Sequence, residues 1–154
     1  MKTIQSIFMS VMLIVLATLS TSAQSKTKVI AVINEADWCP TCQHNGERAI
    51  KAFKANNKDG AFQFVINNLT NDDTKLKSSA KLKELGLSDE MSEFKGTGMV
   101  YFFNAKTKVL ISKISIAKSD EELAKAMESA NEGVCCSKST GEAKNCASKE
   151  HSCG

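Results

Sequence analysis

The sequence predicts a single α/β domain on a mixed sheet, with elements in the order β-α-β-α-β-β-α, and three observations carry that prediction. First, a β-branched run from Lys28 to Asn34 (KVIAVIN) precedes a helical pattern from Pro40 to about Asn57. A second apolar run follows, from Ala61 to Asn67 (AFQFVIN). Strand, crossover helix and strand in that spacing make a parallel pair. Second, Met99 to Asn104 (MVYFFN) and Val109 to Ser115 (VLISKIS) are separated only by Ala105-Lys106-Thr107-Lys108, a hairpin connection. Third, Ser119-Asp120-Glu121-Glu122 has the spacing of a capping box and opens a last helix. A chain of 154 residues has room for one such domain.

Each element has its own local reason. The first strand is apolar without alternation, as a strand covered on both faces must be. In the first helix Cys42, Gly46, Ala49, Ile50 and Phe53 recur at three- and four-residue spacing, so one stripe faces a core. Asn56-Asn57-Lys58-Asp59-Gly60 is turn chemistry. Asp72 or Asp73 is expected to cap a polar helix running to Leu85, with Gly86 as its stop. Ser88 to Phe94 adds a further helical turn. The last helix presents Leu123, Ala126, Met127 and Ala130 on one face and is expected to end near Gly133.

The two ends differ from this middle. Lys2 precedes an apolar run from Ile7 to Leu19, and Ser20-Thr21-Ser22-Ala23 ends in small residues that suit signal peptidase. Residues 1–23 are therefore expected to be a signal peptide, 24–133 the folded domain and 134–154 a cysteine-rich tail. The alternative, a membrane anchor, needs about 20 apolar residues and a stop-transfer pattern, and the run is shorter and lacks one. No cysteine lies near the cleavage point to take a lipid. The expected destination is a periplasmic or extracellular space, without stable membrane insertion after cleavage. With 20 Lys and Arg against 17 Asp and Glu, interspersed along the chain, there is no concentrated basic patch for nucleic acid or a membrane surface.

The chemistry is concentrated in Trp38-Cys39-Pro40-Thr41-Cys42, at a strand-to-helix junction. Cys39 falls at the helix N-cap, where unpaired backbone N–H groups and the positive end of the macrodipole favour thiolate over thiol. Pro40 falls at the first helical position, where its missing N–H costs nothing and its fixed φ suits the start. Cys42 lies one turn further in. Cys39 is thus the candidate nucleophile toward a disulfide, and Cys42, expected to be shielded, the candidate resolving thiol. A plain disulfide and half of a zinc site are the competing readings, although a four-cysteine zinc ribbon would want a second C-x-x-C, and none exists. His44 is either an exposed helix residue or a modulator of thiol protonation. Trp38 is read as part of a substrate surface.

Ala36-Asp37-Trp38-Cys39-Pro40-Thr41-Cys42 resembles the active-site segment of the thioredoxin family, and the element order from Lys28 to Glu132 is similar to that fold's core. The resemblance covers about two-thirds of the chain. It implies a thioredoxin-like three-layer fold and a thiol–disulfide oxidoreductase that requires no cofactor. Its partners would be a disulfide-containing substrate protein and a thiol electron donor. It implies a substrate-binding surface at Trp38, Pro40, Thr41, Thr97 and Gly98. The Pro40-Thr41 pair is similar to that of exported reductants serving cytochrome c maturation, which leans toward reducing or isomerising disulfides. Two positions depart from the family. Gly98 stands where the family has a cis-proline; a cis bond before a non-proline costs about 2.5–4 kcal/mol, so Thr97–Gly98 is expected to be trans and its loop less preorganised. Ile33 stands six residues before Cys39, where the family has a buried aspartate that takes the inner thiol's proton. Glu35 and Asp37 lie nearby, and no base is assigned.

The tail holds Cys135, Cys136, Cys146 and Cys153 with His151. Two disulfides in one of three connectivities, a soft-metal site for Cu(I) or Zn(II), and free redox thiols all remain open for it. The leading function is an exported disulfide oxidoreductase acting through Cys39 and Cys42. The alternative is a copper- or zinc-binding protein that uses the same scaffold with a Cys/His tail.

Overall fold

A computed structural model of the chain describes residues 27–136. The expected signal peptide, the expected tail from residue 137 onward and the candidate ligands Cys146, His151 and Cys153 lie outside them. Four strands form one sheet in the order β2-β1-β3-β4. They are β1 (Val29–Glu35), β2 (Phe62–Asn68), β3 (Met99–Asn104) and β4 (Leu110–Ser115). β1 runs parallel to β2, from Val29 opposite Phe62 to Glu35 opposite Asn68. It runs antiparallel to β3, which in turn pairs antiparallel with β4. Four helices complete the described residues: α1 (Pro40–Ala55), α2 (Asp72–Glu84), α3 (Ser88–Ser92) and α4 (Asp120–Cys136).

The period of two along β1 divides the core. Val29, Ala31 and Ile33 face one side, where they pack with Ala49, Ala52 and Phe53 of α1 and Leu123, Met127 and Ala130 of α4. Ile30 and Val32 face the other, against Leu82 of α2 and Met91 of α3. Helices on both faces bury the central strand, which explains its unbroken apolar run. The result is three layers. Phe53 anchors the first face: its ring lies 5.7 Å from that of Phe64 and 6.4 Å, edge on, from that of Phe102.

Helix ends follow local chemistry, with two corrections to the expected limits. Asn71, not Asp72 or Asp73, caps α2: its side chain accepts from Thr74 N at 3.0 Å, while Thr74 Oγ1 accepts from Asn71 N at 3.1 Å. Asn71 alone of the three holds the extended conformation a cap needs, so the two aspartates fall in the first turn and complement its dipole. The helix stops at Gly86, whose φ is +68°. α4 opens as expected, with Ser119 and Glu122 exchanging side-chain-to-backbone bonds of 3.0 and 3.3 Å. The Lys118 ammonium, and then the Ser119 N–H, hold the Glu122 carboxyl below its ordinary range, so this cap stabilises the fold above that range and is lost as pH falls. Its far end runs to Cys136, past the expected limit near Gly133, because no breaker acts there: Gly133 sits inside the helix beside Ile111.

Replacing Phe53 by Ala should lower stability by about 3–5 kcal/mol in urea denaturation, since the cavity would lie between α1 and the sheet. A loss below about 1 kcal/mol would contradict this packing.

Candidate active site

The site begins where β1 ends. Beyond Glu35 the chain turns through Ala36, Asp37 and Trp38, closed by the Cys39 N–H donating to the Ala36 carbonyl at 3.1 Å. The loop after β2 holds this turn from outside: Asp37 N donates to Thr70 Oγ1 at 3.0 Å and Trp38 Nε1 to the Thr70 carbonyl at 3.3 Å. The Gln43 side chain also donates to the Asp37 carbonyl. The Trp38 ring is left 61% exposed beside the dithiol.

Cys39 is the N-cap of α1 and Pro40 begins the helix, as the motif requires. The Cys39 sulfur accepts the Cys42 backbone N–H at 3.2 Å. Cys39 and Cys42 form a disulfide, with Cα atoms 5.3 Å apart. The first turn of α1 contains no acidic residue, so no carboxylate competes with the sulfur for the helix end. This is chemistry for thiol–disulfide exchange. A sulfur that loses its partner on reduction stays against backbone donors that stabilise its negative charge.

The order of shielding differs from expectation. Cys39 is only 3% exposed, whereas Cys42 is half-buried. The reason is the segment before β3. Gly98 lies directly over Cys39 and Thr41, so close that a Cβ added there would sit 2.9 Å from Thr41 Cγ2 and 3.7 Å from Cys39 Sγ. Pro40 is exposed, and Thr41 and Thr97 are half-buried around the same spot. His44 is exposed, with Nδ1–H donating to the Pro40 carbonyl at 2.7 Å. It faces a broad open groove of about 560 Å³ with Glu47, Arg48 and Lys51.

The Gly98 segment also corrects the expectation of a loosely organised loop. Thr97–Gly98 is trans, and no cis peptide occurs among the described residues. The segment is nonetheless firmly held: Gly98 N donates to the Asn34 carbonyl at 2.8 Å, and the Gly98 carbonyl accepts from Ile116 N at 3.0 Å. The fully buried Asn34 side chain donates to the carbonyls of Phe94 at 2.8 Å and Gly96 at 3.2 Å, and accepts from Asn67 Nδ2 at 2.8 Å. A proline is excluded here twice over. Gly98 has φ +71°, opposite in sign to the value proline fixes, and its N–H is in use.

Sequence reasoning missed Asn34 as a site residue, although a polar side chain closing an apolar strand was a visible signal. It also missed Arg48, which ties α1 to the start of α4 by pairing with Asp120 and donating to the Ile116 and Lys118 carbonyls. Glu35 is one of the two acids near the motif. It lies on the same face of β1 as Ile33 and lines a small cavity with Cys42. Among the described residues, no three His, Cys, Asp or Glu side chains converge as metal donors. No helix there is long and apolar enough to cross a membrane. Cys135 and Cys136 lie in the last turn of α4.

No protein-family model matches the sequence, and comparison with curated proteins finds no match. Solved structures are similar at low identity. One is Trxlp from Edwardsiella tarda, at 19% identity over 69% of this chain and 87% of that one, with a TM-score of 0.44. A second is thioredoxin f2 from Chlamydomonas reinhardtii, at 21% identity over 68% and 82%, with a TM-score of 0.41. A third is a secreted Mycobacterium tuberculosis disulfide oxidoreductase homologous to E. coli DsbE, at 16% identity over 71% and 81%, with a TM-score of 0.42.

Gly98→Ala should cost about 1–3 kcal/mol in denaturation midpoints, from the positive φ and the contact with Thr41. Thr41→Ser in the same chain should recover part of it by removing Cγ2, the nearest atom. Equal stability of wild type and Gly98→Ala would contradict this geometry. On its strand order and the disulfide seated between β1 and α1, the described chain is thioredoxin-like in fold.

Proposed function

We propose that the protein is an exported thiol–disulfide oxidoreductase that reduces or isomerises disulfides in other proteins through Cys39 and Cys42. The observation that carries this reading is the seat of the Cys39 sulfur: it accepts the Cys42 N–H at the N-terminus of α1 and is bonded to the Cys42 sulfur one turn further in. In the reduced protein the Cys39 thiolate attacks one sulfur of a substrate disulfide. One substrate thiolate leaves and a mixed disulfide forms. Cys42 then attacks the Cys39 sulfur, the second substrate thiolate leaves, and the Cys39–Cys42 disulfide results. Two electrons pass to the substrate, and a thiol donor restores the dithiol.

The surroundings support a macromolecular substrate. The Trp38 ring and Pro40 are exposed beside Cys39, Thr41 and Thr97 are half-buried, and the apolar indole suits a polypeptide surface. Gly98 contributes by what it lacks, since a Cβ there would press on Thr41, 2.9 Å from its Cγ2, beside the Cys39 sulfur. Export rests on residues 1–23, whose charge, apolar run and small-residue end suit secretion, and it places the dithiol where protein disulfides form.

Insulin reduction with dithiothreitol as donor tests the proposal. Wild type should accelerate precipitation of the insulin B chain, and Cys39→Ser should fall to the uncatalysed rate. Equal, negligible rates for the two would overturn the enzyme reading.

A further inference from the structure

A buried amide needs its donors and acceptor engaged, so its partners show what it holds. Asn34 is fully buried next to the last residue of β1, on the face of the strand that carries Ile30 and Val32. Its Nδ2 donates to the Phe94 carbonyl at 2.8 Å and to the Gly96 carbonyl at 3.2 Å, and its backbone carbonyl accepts from Gly98 N at 2.8 Å. One residue thus grips alternate positions 94, 96 and 98 of the segment before β3. Asn67, opposite it in the β1–β2 register, donates to its Oδ1 at 2.8 Å and so fixes which way the amide faces. The gripped segment ends over the dithiol. Gly98 is buried there, and a Cβ added to it would stand 3.7 Å from Cys39 Sγ.

We infer that Asn34 is a positioning residue for Cys39: it clamps residues 94–98 over the sulfur and so keeps the dithiol on the reducing side. The inference rests on the oxidoreductase reading above. The cover removes water from the sulfur without replacing it. The Gly98 N–H is spent on Asn34, and among the described residues the Cys39 sulfur accepts one hydrogen bond, from Cys42 N. Desolvation without a compensating donor disfavours the charged form of a group. It therefore acts against the N-terminus of α1, which favours that form. The thiolate belongs to the reduced protein alone, since both sulfurs are neutral in the disulfide. What destabilises it lowers the dithiol relative to the disulfide, and electrons pass more readily to a substrate. An apolar side chain at position 34 would leave the Phe94 and Gly96 carbonyls without their donor, and the cover would lose that tie to β1.

The test compares full-length wild type with Asn34→Leu in graded glutathione buffers, reading the Cys39–Cys42 peptide by alkylation and mass spectrometry. Asn34→Leu should lower the equilibrium constant for oxidation of the dithiol about tenfold, a rise of about 30 mV in reduction potential. Iodoacetamide should also label reduced Cys39 about tenfold faster, since the uncovered sulfur is both more exposed and more ionised. Leu82→Ala opens a cavity under α2 and removes none of these bonds, so both readings should stay within about twofold of wild type. Should Asn34→Leu fail to fold, Asn67→Leu takes its place: it keeps both Asn34 donors but frees the amide to turn. It should shift both readings in the same direction, by about threefold. Wild-type readings in a folded Asn34→Leu, or in Asn67→Leu in its place, would overturn the inference, as would an equal shift in Leu82→Ala. A wild-type pair that stays oxidised in every buffer would instead overturn the oxidoreductase reading.

Discussion

The bond from the Cys42 backbone N–H to the Cys39 sulfur organises this structure. It exists because Cys39 stops being strand and starts being helix at that residue, with φ −87° and ψ 111° at the cap and Pro40 committing the next residue to helical φ. Everything upstream serves to bring the chain to that point. β1 is buried on both faces and paired on both edges, so its end is fixed in space. Everything downstream depends on it too, since α1 lies with Phe53 in the main core and carries Cys42 on its first turn. Electrostatics finish the arrangement: with no acid in the first turn of α1, the helix end is left for the sulfur.

Around that bond the protein uses buried amides to hold the segment where Gly98 replaces a proline of the family it resembles. Asn34 and Asn67 form a closed polar pair, and Asn34 reaches the carbonyls of Phe94 and Gly96 while its own carbonyl takes the Gly98 N–H. A buried amide is tolerable only with its donors and acceptor engaged, and those of Asn34 are. The consequence is a segment fixed by hydrogen bonds and by a positive φ at Gly98, lying over Cys39 closely enough to shield it. The close fit over the sulfur therefore depends on a glycine's lack of a side chain.

Much of this was legible in the sequence, for identifiable reasons. Strand limits, the crossover, the hairpin and the Ser119 capping box came within a residue or so of the structure because each rests on local pattern. The N-cap role of Cys39 was legible for the same reason. Three features were not. The cap of α2 fell among Asn71, Asp72 and Asp73, three good cap residues in a row, and the loop geometry chose the first. The burial of Cys39 depends on Gly98, which lies far along the chain beyond β2 and two helices, and no spacing rule reports such contacts. Glu35 was visible as an acid near the motif, but its placement beside Cys42 depends on which face of β1 turns toward α1.

The central claim is that Cys39 and Cys42 are a redox couple and not a structural crosslink. The most direct measurement is the reduction potential of that pair. The intact protein is equilibrated in graded thiol–disulfide buffers, and the Cys39–Cys42 peptide is quantified by differential alkylation and mass spectrometry, which separates it from the four C-terminal cysteines. Stabilisation of the reduced form at a helix N-terminus predicts a reversible two-electron couple above about −300 mV. A pair that stays oxidised in buffers poised below about −300 mV would mark a structural disulfide and contradict the account.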